Sequence, residues 1–269
     1  MSKPFPPSLT PLLSPATALA DWLQHAPAGQ YVRDWEQARV DAAVADVFGF
    51  HAVQIGLPQW DLLAANRIGH QLRMDTELPP ADSPQRLTLL AAGEELPLAS
   101  GSVDLVILPH ALELSADPHQ LLREVERVLI AEGQVVITGF NPFSLWGIAR
   151  RLRGSAAGAP WQGRFLNVLR LRDWLALLGF EVDRGNFGCY APPLRHSHWL
   201  HRCRWMELAG DRWWGFAGGV YMIRAVKRVR GMRLVQPGWR DTLAARRKAI
   251  VALTPRTPHS THQQTTNKT

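Results

Sequence analysis

A chain of 269 residues, 46% of them hydrophobic, is long enough to bury one large core, and none of its apolar runs reaches the ~18–20 residues a helix needs to cross a bilayer. The formal charge of +7 hides an imbalance: residues 1–136 hold 8 Lys/Arg against 17 Asp/Glu, and residues 137–269 hold 22 against 6. Two cysteines, Cys189 and Cys203, exclude a disulfide-dense secreted scaffold and fit a reducing compartment.

In chain order, the opening MSKPFPPSLTPLLSPATALA is cut by prolines that break any signal-peptide core, so residues 1–18 read as the flexible leader of a cytoplasmic protein. Leu19 to Gln24 and Tyr31 to Phe48 carry helical periodicity, the second through Trp35, Ala38, Val40, Val44 and Val47, with Gly49 closing it. A first strand through Val53-Gln54-Ile55 runs into the turn Gly56-Leu57-Pro58-Gln59-Trp60. Past Asp61, the run Leu62 to Ala65 predicts a short helix and His70 to Asp75 a second strand. Leu87 to Leu90 and Val103 to Leu108 are short apolar runs bounded by turn residues at Gly93 and at Ala99-Ser100-Gly101-Ser102, and predict buried strands.

Between Asp117 and Ile130, Leu121, Leu122, Val125, Val128 and Leu129 recur at helical spacing; Asp117-Pro118 supplies the start and Gly133 the stop. Val135 to Gly139 is another buried run, so strand, helix and strand follow within the length of a right-handed parallel crossover. Asn141-Pro142-Phe143 then opens a loop and a helical run ending in Arg150-Arg151. Leu171 to Leu178, with Arg172-Asp173 as its start and Gly179 as its stop, precedes Phe180-Glu181-Val182. Val220 to Lys227 alternates and reads as the last strand, while residues 236–269 read as a basic mobile tail with one short helix near Thr242 to Val251.

Several of these segments resemble the type 11 family of class I S-adenosylmethionine-dependent methyltransferases. Glu94-Glu95-Leu96-Pro97-Leu98 is similar to the family's acidic-Leu-Pro turn beside the adenine, and Ser102-Val103-Asp104-Leu105-Val106 to its "S-F-D-V-V" fourth strand. Leu121-Leu122-Arg123-Glu124, Arg127-Val128-Leu129 and Glu132-Gly133-Gln134 resemble its following helix and "R-V-L-x-x-G-G" exit. The likeness spans roughly residues 45–185. It implies an α/β fold, a doubly wound, Rossmann-like seven-stranded sheet, mostly parallel with an antiparallel last strand, and S-adenosylmethionine as cofactor. The implied organisation is a methyltransferase-like domain over 19–235, with N-terminal helices (19–48), a core (50–185) and a basic, Trp-rich part (186–235).

The family places G-x-G-x-G after its first strand, where backbone N–H groups approach the carboxypropyl end of the cofactor. Here that turn holds one glycine, Gly56, and Pro58 has no N–H to donate. Either the cofactor takes an altered pose or it no longer binds. The residues that the resemblance and the fold's ligand crevice put against the cofactor are Gln54, Gly56, Leu57, Asp75, Gly93, Glu94, Glu95, Leu96, Pro109 and His110. Asp75 lies 19 residues beyond Gly56, near the ~20 that set an acid against ribose hydroxyls. Ala92 stands where relatives often carry an Asp for the adenine amine.

A sulfonium methyl is already activated, so the protein's task is alignment and, where needed, proton removal. His110, expected at the carboxyl end of the fourth strand, is the candidate base, with Glu113 on the next turn as a second. Asn141 and Trp146 are candidate substrate contacts at the pocket mouth. The acceptor is read as a small or anionic molecule. Eight of eleven tryptophans lie in the basic half, and Arg with Trp also suits phosphates and stacked bases. The alternative reading is therefore an inactive methyltransferase-fold module that binds nucleic acid or an acidic partner; a third is peripheral association with anionic membranes. His196, His198, His201 and Cys203 fit no common zinc spacing, and arginines at 202 and 204 would crowd a dication, so no metal is expected.

Overall fold

The computed structural model describes residues 14–77, 89–154, 157–194, 198, 203 and 205–229. Strands buried on both faces need unbroken apolar runs, and β4 (Val103–Pro109) meets that demand, with Leu105 to Leu108 fully buried. Around it lie β1 (His51–Ile55), β2 (His70–Asp75), β3 (Leu89–Leu90), β5 (Leu129–Phe140), β6 (Phe180–Gly188) and β7 (Val220–Lys227). The sheet order is β3-β2-β1-β4-β5-β7-β6. The pairings β1/β2, β1/β4, β2/β3 and β4/β5 are parallel, and β7 runs antiparallel between β5 and β6. The expected seven-stranded sheet with an antiparallel last strand is therefore the one observed.

Successive strand residues feed opposite faces. Leu105 and Ile107 join a core layer with Val32, Val40 and Val44 of α2 (Pro27–Val44) and Leu19 and Leu23 of α1 (Pro15–His25). Val106 and Leu108 join the other layer, with Leu121, Leu122 and Val125 of α4 (Pro118–Val128) and Leu171 and Leu175 of α6 (Val168–Leu177). Further helices among the described residues are α3 (Ala111–Leu114), α5 (Leu145–Arg153) and α7 (Trp205–Trp213).

Several expected boundaries move, each for a local reason. Residues 15–18, expected in the leader, are helical because Ser14 caps α1, its Oγ accepting from Thr17 N at 3.2 Å with Pro15 in the first turn. α2 begins at Pro27 and ends at Val44 rather than Phe48. No helix forms at 62–65: Leu62 N donates to Gln54 Oε1 at 3.2 Å, and the Asn66 amide donates to Val44 O and Val47 O, which holds the chain in turns. α4 stops at Val128, five residues before Gly133, because the N–H groups of Gly101 and Ser102 cap the carbonyls of Arg127 and Val128. α6 starts earlier than Arg172, where Asn167 Oδ1 accepts from Leu169 N at 3.0 Å. The expected tail from 236 lies outside the described residues.

Arg224 of β7 ties the sheet to α2. Its guanidinium meets Asp183 of β6 at 2.5 Å, Asp46 at 2.9 Å and the carbonyl of Ala43 at 2.8 Å. The arginine overcomes the cost of partial burial at Asp46 and holds that carboxyl below its ordinary range.

Candidate active site

The strand order reverses between β1 and β4, and in such sheets the gap beyond the strand ends is where ligands enter. A cleft of 690 Å³ opens there. Gly56 and Leu57 after β1, Asp75 to Glu77 at the end of β2, and Gly93 and Glu94 after β3 line one side. Pro109 of β4, Ala111 and Leu114 of α3, and Ser115 line the other, with Leu121 beneath and Pro15 and Ala16 of α1 at the mouth.

The turn after β1 is built without a glycine cradle. Gly56 and Leu57 both take positive φ (91° and 49°), and Gly56 N donates to Met74 O at 2.8 Å. The buried Gln54 amide donates to the carbonyls of Gly56 (3.2 Å), Leu57 (3.0 Å) and Trp60 (2.8 Å), while its oxygen accepts from Leu62 N. One side chain thus satisfies carbonyls that a tight turn would otherwise strand. Gln54, expected against the cofactor, instead organises the loop from behind and does not line the cleft. Leu57 forms part of the cleft wall and also packs into the core on the α1/α2 side. Trp60 faces away, its indole donating to Gln37 Oε1 at 2.6 Å. The bulky turn residues therefore wall the hollow and leave it open.

Asp75 reaches the cleft with one oxygen held by Thr76 N at 2.7 Å, and burial pushes its carboxyl pKa up. Glu94 accepts from Ser115 Oγ at 2.9 Å. Gly93 is buried against α4, where a Cβ would stand 3.2 Å from Leu121 Cδ1. Two neighbours depart from expectation: Glu95 is exposed and off the cleft, and Leu96 is core, its N–H donating to Glu124 Oε2 at 3.0 Å and its carbonyl accepting from Arg127 at 2.8 Å.

His110 is the largest departure. Its backbone takes φ 51° at the start of α3, and its ring points away from the cleft into the protein. Nδ1 lies 2.8 Å from Glu113 Oε2 and Nε2 lies 3.0 Å from Glu36 Oε1 of α2, all three side chains being buried. Burial works against the charged ring, but the two carboxylates outweigh that cost and raise its pKa to about 10. An imidazolium so held has no lone pair to take a proton near neutrality, so the expected base role does not fit this geometry. Glu113 is likewise committed: Oε1 accepts from Phe140 N at 2.6 Å, and burial raises its carboxyl pKa. Glu36 also accepts from Thr138 Oγ1 at 3.2 Å, and the His110 ring packs on Phe140 with centroids 4.6 Å apart.

The two expected substrate contacts are also structural. The Asn141 amide donates to Phe216 O and Gly218 O, and its oxygen accepts from Phe143 N. Trp146 is fully buried, donating to Cys189 O and Ala191 O. Of the His/Cys cluster, His196 and His201 lie outside the described residues, as does much of the Arg/Trp-rich stretch. Sequence reasoning missed Pro15, Ala16, Thr76, Glu77, Ala111, Leu114, Ser115 and Leu121. Ser14-Pro15, an N-cap followed by a first-turn proline, was the available signal for the first two.

Sheet order and cleft together define a class I methyltransferase fold, and the chain belongs to the type 11 methyltransferase family: a family model described as a methyltransferase domain matches residues 70–137. Among curated proteins, the uncharacterized protein YafS of Escherichia coli K12 is 33% identical over 176 residues, covering 65% of this chain and 71% of that one. A malonyl-[acyl-carrier protein] O-methyltransferase of Laribacter hongkongensis is 33% identical over 89 residues, 33% of this chain and only 30% of that protein's length. Among solved structures, the complex between a Haloferax volcanii Trm112 methyltransferase activator and a methyltransferase matches with TM-score 0.56 and 16% identity, over 82% of this chain and 100% of that one. At that identity the likeness speaks for the fold. No helix among the described residues is long and apolar enough to cross a membrane.

Proposed function

We propose that this protein is an S-adenosylmethionine-dependent methyltransferase acting on a small or anionic acceptor, with its cofactor in the cleft between β1, β2 and β4. The carrying observation is the charge of that cleft: among the described residues, Asp75, Glu77 and Glu94 line it, and no lysine or arginine does. S-adenosylmethionine carries one net positive charge, so the wall complements it. In this reading Asp75, which lines the cleft at the end of β2, accepts from the ribose hydroxyls, and the Glu94 carboxylate, steadied by Ser115, serves the adenine side. Gly56 leaves the floor clear: its nearest cleft neighbours are Pro109 O and Ala111 Cβ, each 3.6 Å from where a Cβ would sit.

When bound, the cofactor supplies a methyl group already activated on a sulfonium. The chain's own contribution is then orientation and exclusion of water by Leu57, Leu114 and the α1 end. His110 acts as a positioning residue, fixing the start of α3 and with it Ala111, Leu114 and Ser115. Calorimetric titration with S-adenosylmethionine and S-adenosylhomocysteine tests the reading. Binding is expected for both, weakened about tenfold or more in Asp75→Asn through loss of charge-assisted hydrogen bonds. No heat at millimolar ligand would remove the proposal.

A further inference from the structure

Three hollows lie in line beneath one face of α1. Pro15 and Ala16 roof the cleft. Leu19 covers a tight constriction, with room for about one water, floored by Leu114, Pro160 and Gly163. Trp22 and the cap residue Ala26 cover a third, of 660 Å³, closed from below by Ala159, Trp161 and Arg153. Pro15 and Leu114 belong to both the first and the second hollow, and Ala159 to both the second and the third. Pro15, Leu19, Trp22 and Ala26 succeed one another at the four- and three-residue intervals that make a single helical stripe. At a rise of 1.5 Å per residue that stripe is about 16 Å long.

We propose that these hollows form one acceptor channel, for an elongated and mainly apolar molecule whose far end is anionic. The inference rests on reading the cleft as the methyl-donor site. The waist supports the apolar middle: Leu19, Leu114 and Pro160 offer no polar side-chain atom, and of the two polar residues that also border it, Gln162 and Glu113, the latter has its oxygens engaged by His110 Nδ1 and Phe140 N. Arg153 supports the anionic end: it is the one charged side chain among the described residues of the outer hollow. Its guanidinium carbon sits 5.0 Å over the Trp161 ring, and no carboxylate among the described residues pairs with it. Trp161 is itself anchored, its carbonyl accepting from Arg150 Nε at 3.1 Å.

The charges also fix the direction. Asp75, Glu77 and Glu94 stand at the cleft end and Arg153 at the other, so a ligand with one anionic terminus enters with that terminus outermost. Trp22 and Trp161 then flank the segment beside it.

The test uses the full chain with S-adenosylhomocysteine present. Octanoate, dodecanoate and hexadecanoate are titrated, with dodecyltrimethylammonium as the cationic control. Affinity should rise with chain length, the cation should bind more weakly than dodecanoate, and a diazirine-bearing dodecanoate should label peptides holding Trp22 or Trp161. Arg153 is exposed, so Arg153→Gln leaves the fold alone; it should weaken dodecanoate about tenfold, the size of one charged hydrogen bond, with S-adenosylhomocysteine binding unchanged. Dodecanoate that fails to bind, binds equally to Arg153→Gln, or labels elsewhere overturns the channel even where S-adenosylhomocysteine binds normally. Failure of S-adenosylhomocysteine itself overturns the cleft reading instead.

Discussion

Replacing His110 by glutamine should change how stability depends on pH, and the size of the change follows from the clamp. Burial alone would lower the imidazole pKa, but in the folded protein Glu36 and Glu113 raise it from 6.5 to about 10. A group whose folded pKa is raised contributes stability that is complete below its unfolded value and disappears as pH climbs through the folded one. The window is therefore from 6.5 to about 10, and at 1.36 kcal/mol per unit the loss across it is about 4–5 kcal/mol. Glu113, raised by burial, acts in the same sense, since its charged form is the one the fold disfavours. The substituted amide cannot carry the positive charge, so the His110→Gln variant faces two buried carboxylates across a neutral group and loses about 3–5 kcal/mol at mildly acidic pH. Toward pH 10 the wild-type imidazole is neutral as well, and the two proteins should converge to within about 1 kcal/mol. Urea unfolding followed by circular dichroism at a series of pH values measures both curves. Groups titrating elsewhere are common to the two proteins and cancel in the difference. A constant offset across the series, or a ring nitrogen signal showing neutral His110 at pH 7.5, would refute the clamp.

Other substitutions read other parts of the same design. Gln54→Leu strands the carbonyls of Gly56, Leu57 and Trp60 and the N–H of Leu62; about 2–5 kcal/mol of stability should be lost, and S-adenosylhomocysteine binding should weaken with it by calorimetry. Arg224→Met takes the shared cation from Asp183 and the half-exposed Asp46, which keeps Arg184 at 2.9 Å, and thermal unfolding should register a loss of about 1–2 kcal/mol with ligand affinity intact, because these groups lie at the α2/β7 contact and not on the cleft.

What was legible in the sequence is what periodicity and turn chemistry control. β4 announced itself through an unbroken apolar run and α4 through Asp117-Pro118, while β7, expected as an alternating strand, is buried on both faces from Val220 to Val226. Gly56, Asp75, Gly93, Glu94 and Pro109 could be placed at the cleft because strand ends in a doubly wound sheet converge there. The directions of side chains leaving tight turns were not legible. His110 follows β4 as expected, yet a positive φ at that one residue turns its ring from the crevice to the carboxylate of Glu36, 74 positions earlier in the chain. No local pattern encodes that pairing, since it exists only once α2 is packed on the sheet.

The same distinction explains how a glycine cradle can be rewritten without closing the cleft. Glycine at such a turn serves two needs, positive φ and room for a ligand. Here the first is met by Gly56 and by Leu57, held at φ 49° while its carbonyl is bound by Gln54. The second is met by sending side chains backward: Leu57 packs toward the α1/α2 core and Trp60 is fixed on Gln37 of α2. Both devices depend on α1 and α2 being docked. The end of α1 is thus part of the cleft wall and α2 backs the turn behind it, and chains lacking α1 should lose S-adenosylhomocysteine affinity beyond what the contacts of Pro15 and Ala16 alone would carry. Deleting residues 1–26 and titrating the remainder by calorimetry checks this. A deletion variant that stays folded by circular dichroism and binds as tightly as the full chain would show that the turn holds its shape unaided.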